Sequence, residues 1–164
     1  MDRFVVGFCF TADKNFVLLI TKQKPEWQKG CLNGIGGKIE EDETPLNAMV
    51  REGFEEAGLL LKWVEFGVMR GTNNDGNDFE CFIFYSFTDA VKRFKQKEKE
   101  FLDLYHIDDY WRHKYIANLE FIIPALLCAD GCSYMDLRYG SPQPAETTNP
   151  PDVSGERGEE EEGE

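Results

Sequence analysis

Glu52, Glu55 and Glu56 stand at i, i+3, i+4 spacing directly after Arg51, inside an acidic stretch that reads GGKIEEDETPLNAMVREGFEEAGL from Gly36 to Leu59. On a helix these carboxylates share one side, where like charges destabilise by roughly 0.2–0.5 kcal/mol per pair. Glu55 and Glu56 also fall in the last turn, where the helix dipole disfavours anions. A solvated acidic face is the ordinary explanation of such a pattern. A bound divalent cation would reverse both penalties. Hard carboxylate oxygens with room for water and phosphate are the donors that Mg2+ prefers, with Mn2+ as a substitute. Ala48, one turn before Glu52, is expected to leave space beside such a site.

The lead-in CLNGIGGKIE places Gly34, Gly36 and Gly37 within four positions, so backbone there can approach a ligand closely. The Gly37 carbonyl could offer oxygen to a metal and Lys38 could neutralise phosphate; a polyphosphate is the substrate that needs both. Thr44 followed by Pro45 is a helix start with a capping hydroxyl and proline in the first helical position, and Gly58 is the expected left-handed stop. These signals predict a helix from Pro45 to Ala57. Counting 100° per residue groups Leu46, Met49, Val50, Gly53 and Ala57 toward the core, with Glu52, Glu55 and Glu56 on the opposite side at about 240°, 180° and 280°.

The elements that must carry this helix are mixed. FVVGFCF from Phe4 to Phe10 and FVLLIT from Phe16 to Thr21, split by Asp13-Lys14-Asn15, predict a hairpin. Two more strands are predicted within Leu59 to Gly71 and Phe79 to Phe87, joined through an Asp75-Gly76 turn. Glu98 to Ile107 begins polar and ends in a short apolar run. NLEFIIPALLCA, Asn118 to Ala129, has helical length and apolar density, with Pro124 expected in its first turn or at a kink. Without a regular βαβ repeat, the pattern predicts an α+β domain of layered α-β-α form. That domain is expected over residues 1–140, and 141–164, rich in Pro, Ser, Thr, Gly and Glu, is expected to be a disordered acidic tail.

A chain of 164 residues with 41% hydrophobic content supports one domain core. Its net charge of −13, without a basic patch, argues against duplex DNA or RNA as a partner. No stretch approaches the roughly 20 apolar residues needed to span a bilayer, so no membrane partner is expected. Cys9, Cys31, Cys81, Cys128 and Cys132 are an odd number, three of them in or beside apolar runs, which fits a reduced, cytoplasmic setting. The Cys128/Cys132 pair has no nearby histidine and is a weak zinc candidate.

The spacing Gly37, five residues, Glu43, seven residues, Arg51-Glu52, two residues, Glu55-Glu56, one residue, Gly58-Leu59 resembles the Nudix box, with eight fixed positions across 23 residues. The resemblance implies a Nudix α-β-α sandwich with a mixed β-sheet and a catalytic loop-helix-loop, and metal-dependent hydrolysis of a nucleoside diphosphate linked to a group X. It implies that Glu52, Glu55 and Glu56 are the metal-site carboxylates, with the Gly37 carbonyl as a further ligand. Glu43 and Arg51 are then the pair that braces loop against helix. Glu98 and Glu100 lie where many members bring in one more carboxylate, and Glu100 is ranked ahead for the metal. The proton from water goes to Glu56, Glu52 or that loop glutamate. The departure is Gly53, where the family has a large aliphatic residue; it costs about 1 kcal/mol of helix propensity and removes packing.

Asn33-Gly34-Ile35-Gly36-Gly37-Lys38 is similar to the MutT-like subgroup that hydrolyses oxidised purine nucleoside triphosphates, in which the asparagine reads the base. NLEFIIP resembles the helix start that supplies a second base contact, with Asn118 where acids stand in the mammalian sanitising enzymes. Trp27 is a candidate stacking face and Lys24 a candidate phosphate contact. Loop capping for Asn33, helix N-capping for Asn118 and peripheral core for Trp27 stay open beside these roles. The favoured partner is therefore a small-molecule nucleotide, bound by a monomer or homodimer. ADP-ribose, a dinucleotide such as NAD or a capped RNA end is the alternative substrate, and a non-catalytic nucleotide-binding module the alternative class.

Overall fold

Strand β1 (Asp2–Phe10) alternates its side chains between two cores. Val5 and Cys9 enter one core; Val6, Phe8 and Phe10 enter the other. Helix α1 (Pro45–Ala57) fills the first with Ala48, Met49 and Ala57, and helix α2 (Leu119–Leu127) fills the second with Leu119, Ile122, Ile123 and Leu126. The result is the expected α-β-α sandwich, seen in a computed structural model that describes residues 1–73, 76–97, 99–129, 131 and 133–139. Asp75 of the expected turn, Glu98, Cys132 of the cysteine pair and the 141–164 tail lie outside the described residues.

The sheet is completed by β2 (Phe16–Thr21), β3 (Leu32–Asn33), β4 (Val64–Thr72), β5 (Asp78–Phe87), β6 (Phe101–His106) and β7 (Met135–Tyr139). Its order is β3-β2-β1-β5-β4-β7, with β6 on β2; β1 and β5 run parallel, as do β4 and β7, and the other pairs are antiparallel. After β3 the glycine-rich chain lies along β1, with Gly7 N donating to Ile35 O at 2.7 Å, Val5 N to Gly37 O at 2.9 Å and Ile39 N to Arg3 O at 2.9 Å. The loop that leads into α1 is therefore held by the central strand.

Strands β3, β6 and β7 are not legible as strands from composition. The first has two residues, β6 carries Asp103 and His106, and β7 alternates charge with apolar groups; each is extended because a neighbouring strand offers it hydrogen bonds. Pro124 sits inside α2, not in its first turn. An interior proline costs about 3 kcal/mol, a penalty offset by four buried apolar side chains of that helix.

The core arc of α1 also differs from expectation. Buried positions are Ala48, Met49, Gly53, Glu56 and Ala57, while Leu46 is exposed and Ala48 lies fully inside. The helix is covered by the sheet on one side and by the glycine loop on another, so its buried arc is wider than a stripe facing one layer. Nor is Gly53 an unfilled defect. The Trp63 ring occupies the volume, with Cζ2 placed 3.3 Å from where a Gly53 Cβ would stand and Cη2 only 2.9 Å from where a Gly7 Cβ would stand. Gly53→Leu is therefore expected to lower the thermal midpoint, by the roughly 1–3 kcal/mol typical of overpacking. Combining it with Trp63→Leu should recover much of the loss, and a raised midpoint in the single variant would overturn this account.

Candidate active site

Arg51 projects from α1 into a fork of oxygens. Its Nε and Nη2 donate to the two oxygens of Glu43 at 3.0 Å each, Nη2 also to the Lys38 carbonyl at 3.0 Å, and Nη1 to Glu52 at 2.8 Å and Glu55 at 3.1 Å. The bidentate pair with Glu43 spans loop and helix as the motif implied. Its hydrogen bonds from Arg51 hold the Glu43 carboxyl below its ordinary range, and the same pair raises Arg51, which stays charged throughout.

Two glycines make this junction possible. Gly36 has φ +147°, and a Cβ there would collide with the Val5 carbonyl; a Cβ on Gly37 would enter the space held by the Glu52 carboxylate. The Gly37 carbonyl already accepts from Val5 N at 2.9 Å, which leaves it a second lone pair.

Glu56 departs from the open anionic face expected of it. It is only 5% exposed, and its Oε2 accepts from Gly36 N at 2.8 Å. Burial pushes its carboxyl up to about 8, assisted by the nearby charges of Glu52 and Glu100 and opposed by the Gly36 amide and Lys22. Glu100 joins the site from β6's entry: it accepts from Lys22 Nζ at 2.9 Å and Gln23 N at 2.6 Å. Burial raises its carboxyl, but the Gln23 amide and Lys22 outweigh that and hold it below the ordinary value. Lys22 carried no chemical signal in the sequence; the antiparallel register Thr21↔Phe101 is what sets it across from Glu100.

Among the described residues no three acidic, histidine or cysteine side chains converge as a closed metal cage, since Arg51 stands against Glu52 and Glu55. The donor set nonetheless fits a divalent ion. It is all oxygen, it includes a buried carboxyl with poor hydration, and Gly37 leaves room for the Glu52 carboxylate.

The other candidates separate. Lys38 is paired with Asp2 at 2.9 Å. Asn33 Oδ1 accepts from Gly34 N at 2.8 Å. Trp27, 63% exposed in a short 3-10 turn, is no part of the core, and Lys24 lies exposed in the same loop. Asn118 precedes α2 without capping it through its side chain. Its Nδ2 donates to Met69 Sδ at 3.4 Å, and its amide is also engaged by the Tyr139 side chain.

Residues 1–124 match the NUDIX domain family. The chain belongs to that family. Members hydrolyse a nucleoside diphosphate linked to a further group and generally use divalent metal ions, so this Nudix chain is a hydrolase of that class. Its fold is similar to the MutT protein of Bacillus halodurans, with TM-score 0.65, 20% identity, and coverage of 85% of this chain and 90% of that one. It is also similar to a MutT structure from a study of Aliivibrio salmonicida and Vibrio cholerae, with TM-score 0.62, 19% identity, and coverage of 77% and 97%. The NUDIX domain of Shewanella oneidensis NrtR, complexed with ADP ribose, gives TM-score 0.62 at 14% identity, covering 76% and 85%. No curated protein matches the chain. No helix among the described residues is long and apolar enough to cross a membrane.

The raised Glu56 carboxyl predicts a pH-dependent stability for the metal-free Nudix domain. Because its folded value of about 8 lies above its ordinary 4.5, its contribution to stability is complete below the lower value and is lost as pH rises through the higher one. Thermal midpoints in chelator should fall from pH 5 to pH 9, and Glu56→Gln should flatten that slope; equal slopes in the two proteins would remove Glu56 as its source.

Proposed function

We propose that this Nudix hydrolase cleaves purine nucleoside triphosphates, oxidised forms included, to the monophosphate and pyrophosphate, with Mg2+ as its metal and Mn2+ as a substitute. The observation that carries the substrate class is Asn118. Its half-buried amide, set against Met69 and Tyr139 at the start of α2, carries both a donor and an acceptor with which to meet the edge of a purine. The segment before Asn118 is paired with β3, Ile116 N donating to Leu32 O at 3.0 Å and Leu32 N to Lys114 O at 2.8 Å, so the Asn118 approach is tied to the strand that bears Asn33. The Asn33 amide then reads a second position of the base, Trp27 stacks from the exposed loop, and Lys24 and Lys38 meet phosphate once Lys38 leaves Asp2.

For the chemistry, Glu52, Glu55, Glu56, Glu100 and the Gly37 carbonyl would hold the ion, which supplies charge neutralisation of the polyphosphate and acidification of water. Arg51 and Glu43 orient the helix carboxylates against the loop. The proton of the attacking water goes to whichever of Glu56, Glu52 or Glu100 is not committed to the ion. A second reading, hydrolysis of ADP-ribose, is favoured by the ligand of the Shewanella domain. A panel of nucleoside triphosphates, ADP-ribose and NAD with Mg2+ or Mn2+, scored for products, separates the two: pyrophosphate release supports the first reading, and AMP with ribose 5-phosphate the second.

Glu56→Gln should lower turnover by orders of magnitude on any of these substrates; a loss under about tenfold, or 1.4 kcal/mol, would take it out of the catalytic set. Asn33→Ala should instead flatten preference among purines by roughly five- to a hundredfold while sparing metal binding. Equal losses on every nucleotide would show that Asn33 only shapes the glycine loop.

A further inference from the structure

The C-terminal end of the catalytic helix is capped by a distant segment. Lys95 N donates to Ala57 O at 2.8 Å and Lys97 N to Glu56 O at 3.3 Å, closing two carbonyls that a helix end leaves without partners. Gly58, with φ +66°, has no Cβ to obstruct the Lys97 stem, whose Cε passes 3.1 Å from where that atom would be. The Lys97 ammonium then rests 3.7 Å from the centroid of the Phe54 ring. Phe54 occupies the free position of the Nudix box, between Gly53 and Glu55, and is an aromatic left 45% exposed on a helix whose neighbours are glutamates. A cation over its face accounts for it there.

Three residues after Lys97 the chain delivers Glu100 to Lys22 and Gln23, within electrostatic reach of Glu56. Lys97 is thus held to the helix that carries the other three carboxylates, and Glu100, three residues on, is held to Lys22 and Gln23. We propose that Phe54 and Lys97 are positioning residues: their contact, added to the two amide bonds at the helix end, sets where Glu100 stands relative to Glu56. The part that Glu100 takes in the reaction rests on the function proposed above; its placement by this contact does not.

Amide exchange of Gln23 reports the placement directly, since its N–H donates to Glu100 Oε1 at 2.6 Å. In Phe54→Ala the Gln23 amide should exchange roughly two- to fivefold faster, the factor one exposed cation–π contact can supply. Phe54→Trp should restore the wild-type rate, and amides in β1 and β5 should be unmoved. Turnover in Phe54→Ala should fall by a similar factor with the nucleotide KM unchanged, and no further fall should occur when the change is made in Glu100→Gln. An unaltered Gln23 rate in Phe54→Ala overturns the proposal, as does an equal turnover loss with and without Glu100. If Glu100→Gln keeps full turnover while Gln23 exchange still responds to Phe54, the positioning stands and the assigned role of Glu100 falls.

Discussion

Everything at this site depends on one guanidinium. Arg51 touches Glu43, Glu52, Glu55 and the Lys38 carbonyl at once, so a single planar cation joins the loop before the helix to the carboxylates on it. Lysine could not do the same, because a point charge cannot satisfy both oxygens of Glu43 and still reach the next turn in a fixed plane. The network also explains how an acidic cluster survives folding: the repulsion among Glu52, Glu55 and their neighbours is met by a cation contributed by the same helix.

Glu56 is the exception, and its position follows from layering. The glycine loop is hydrogen-bonded to β1 and reaches the helix at Glu56, so one position on the side that a helical wheel leaves to solvent is covered by backbone. A carboxyl caught beneath that cover loses hydration and keeps one amide donor, which is why its proton is held so tightly. The same cover raises the proton affinity of Glu56, while the Gln23 amide and Lys22 lower that of Glu100.

Packing elsewhere is arranged around these demands. Trp63 takes the room beside Gly53, and together with Met49 of α1 it takes the room beside Gly7. On the opposite face of the sheet, the start of α2 sets Asn118 against Met69. The chain from Asn33 to Lys38 runs between the two regions, paired first with β2 and then with β1. The residues proposed for base recognition and for phosphate therefore lie within one short loop.

Much of this was written in local order. Thr44, Pro45 and Gly58 mark the bounds of α1 because capping and left-handed termination are local events, and they coincide with the helix observed. The Gly37 to Leu59 spacing discloses the family for the same reason: its residues act within one loop and one helix. What tertiary structure alone decided lies between distant segments. The burial of Glu56 needs the loop to fold back on β1, the Lys22–Glu100 pair needs the β2–β6 register, and the filling at Gly53 needs a tryptophan ten residues on from another layer. The strands β3, β6 and β7 exist for their partners' hydrogen bonds and not for their own propensity. Periodicity reports which side of an element is apolar; it carries no information about which other segment will cover it, and the proton affinity and position of each carboxylate follow from that cover.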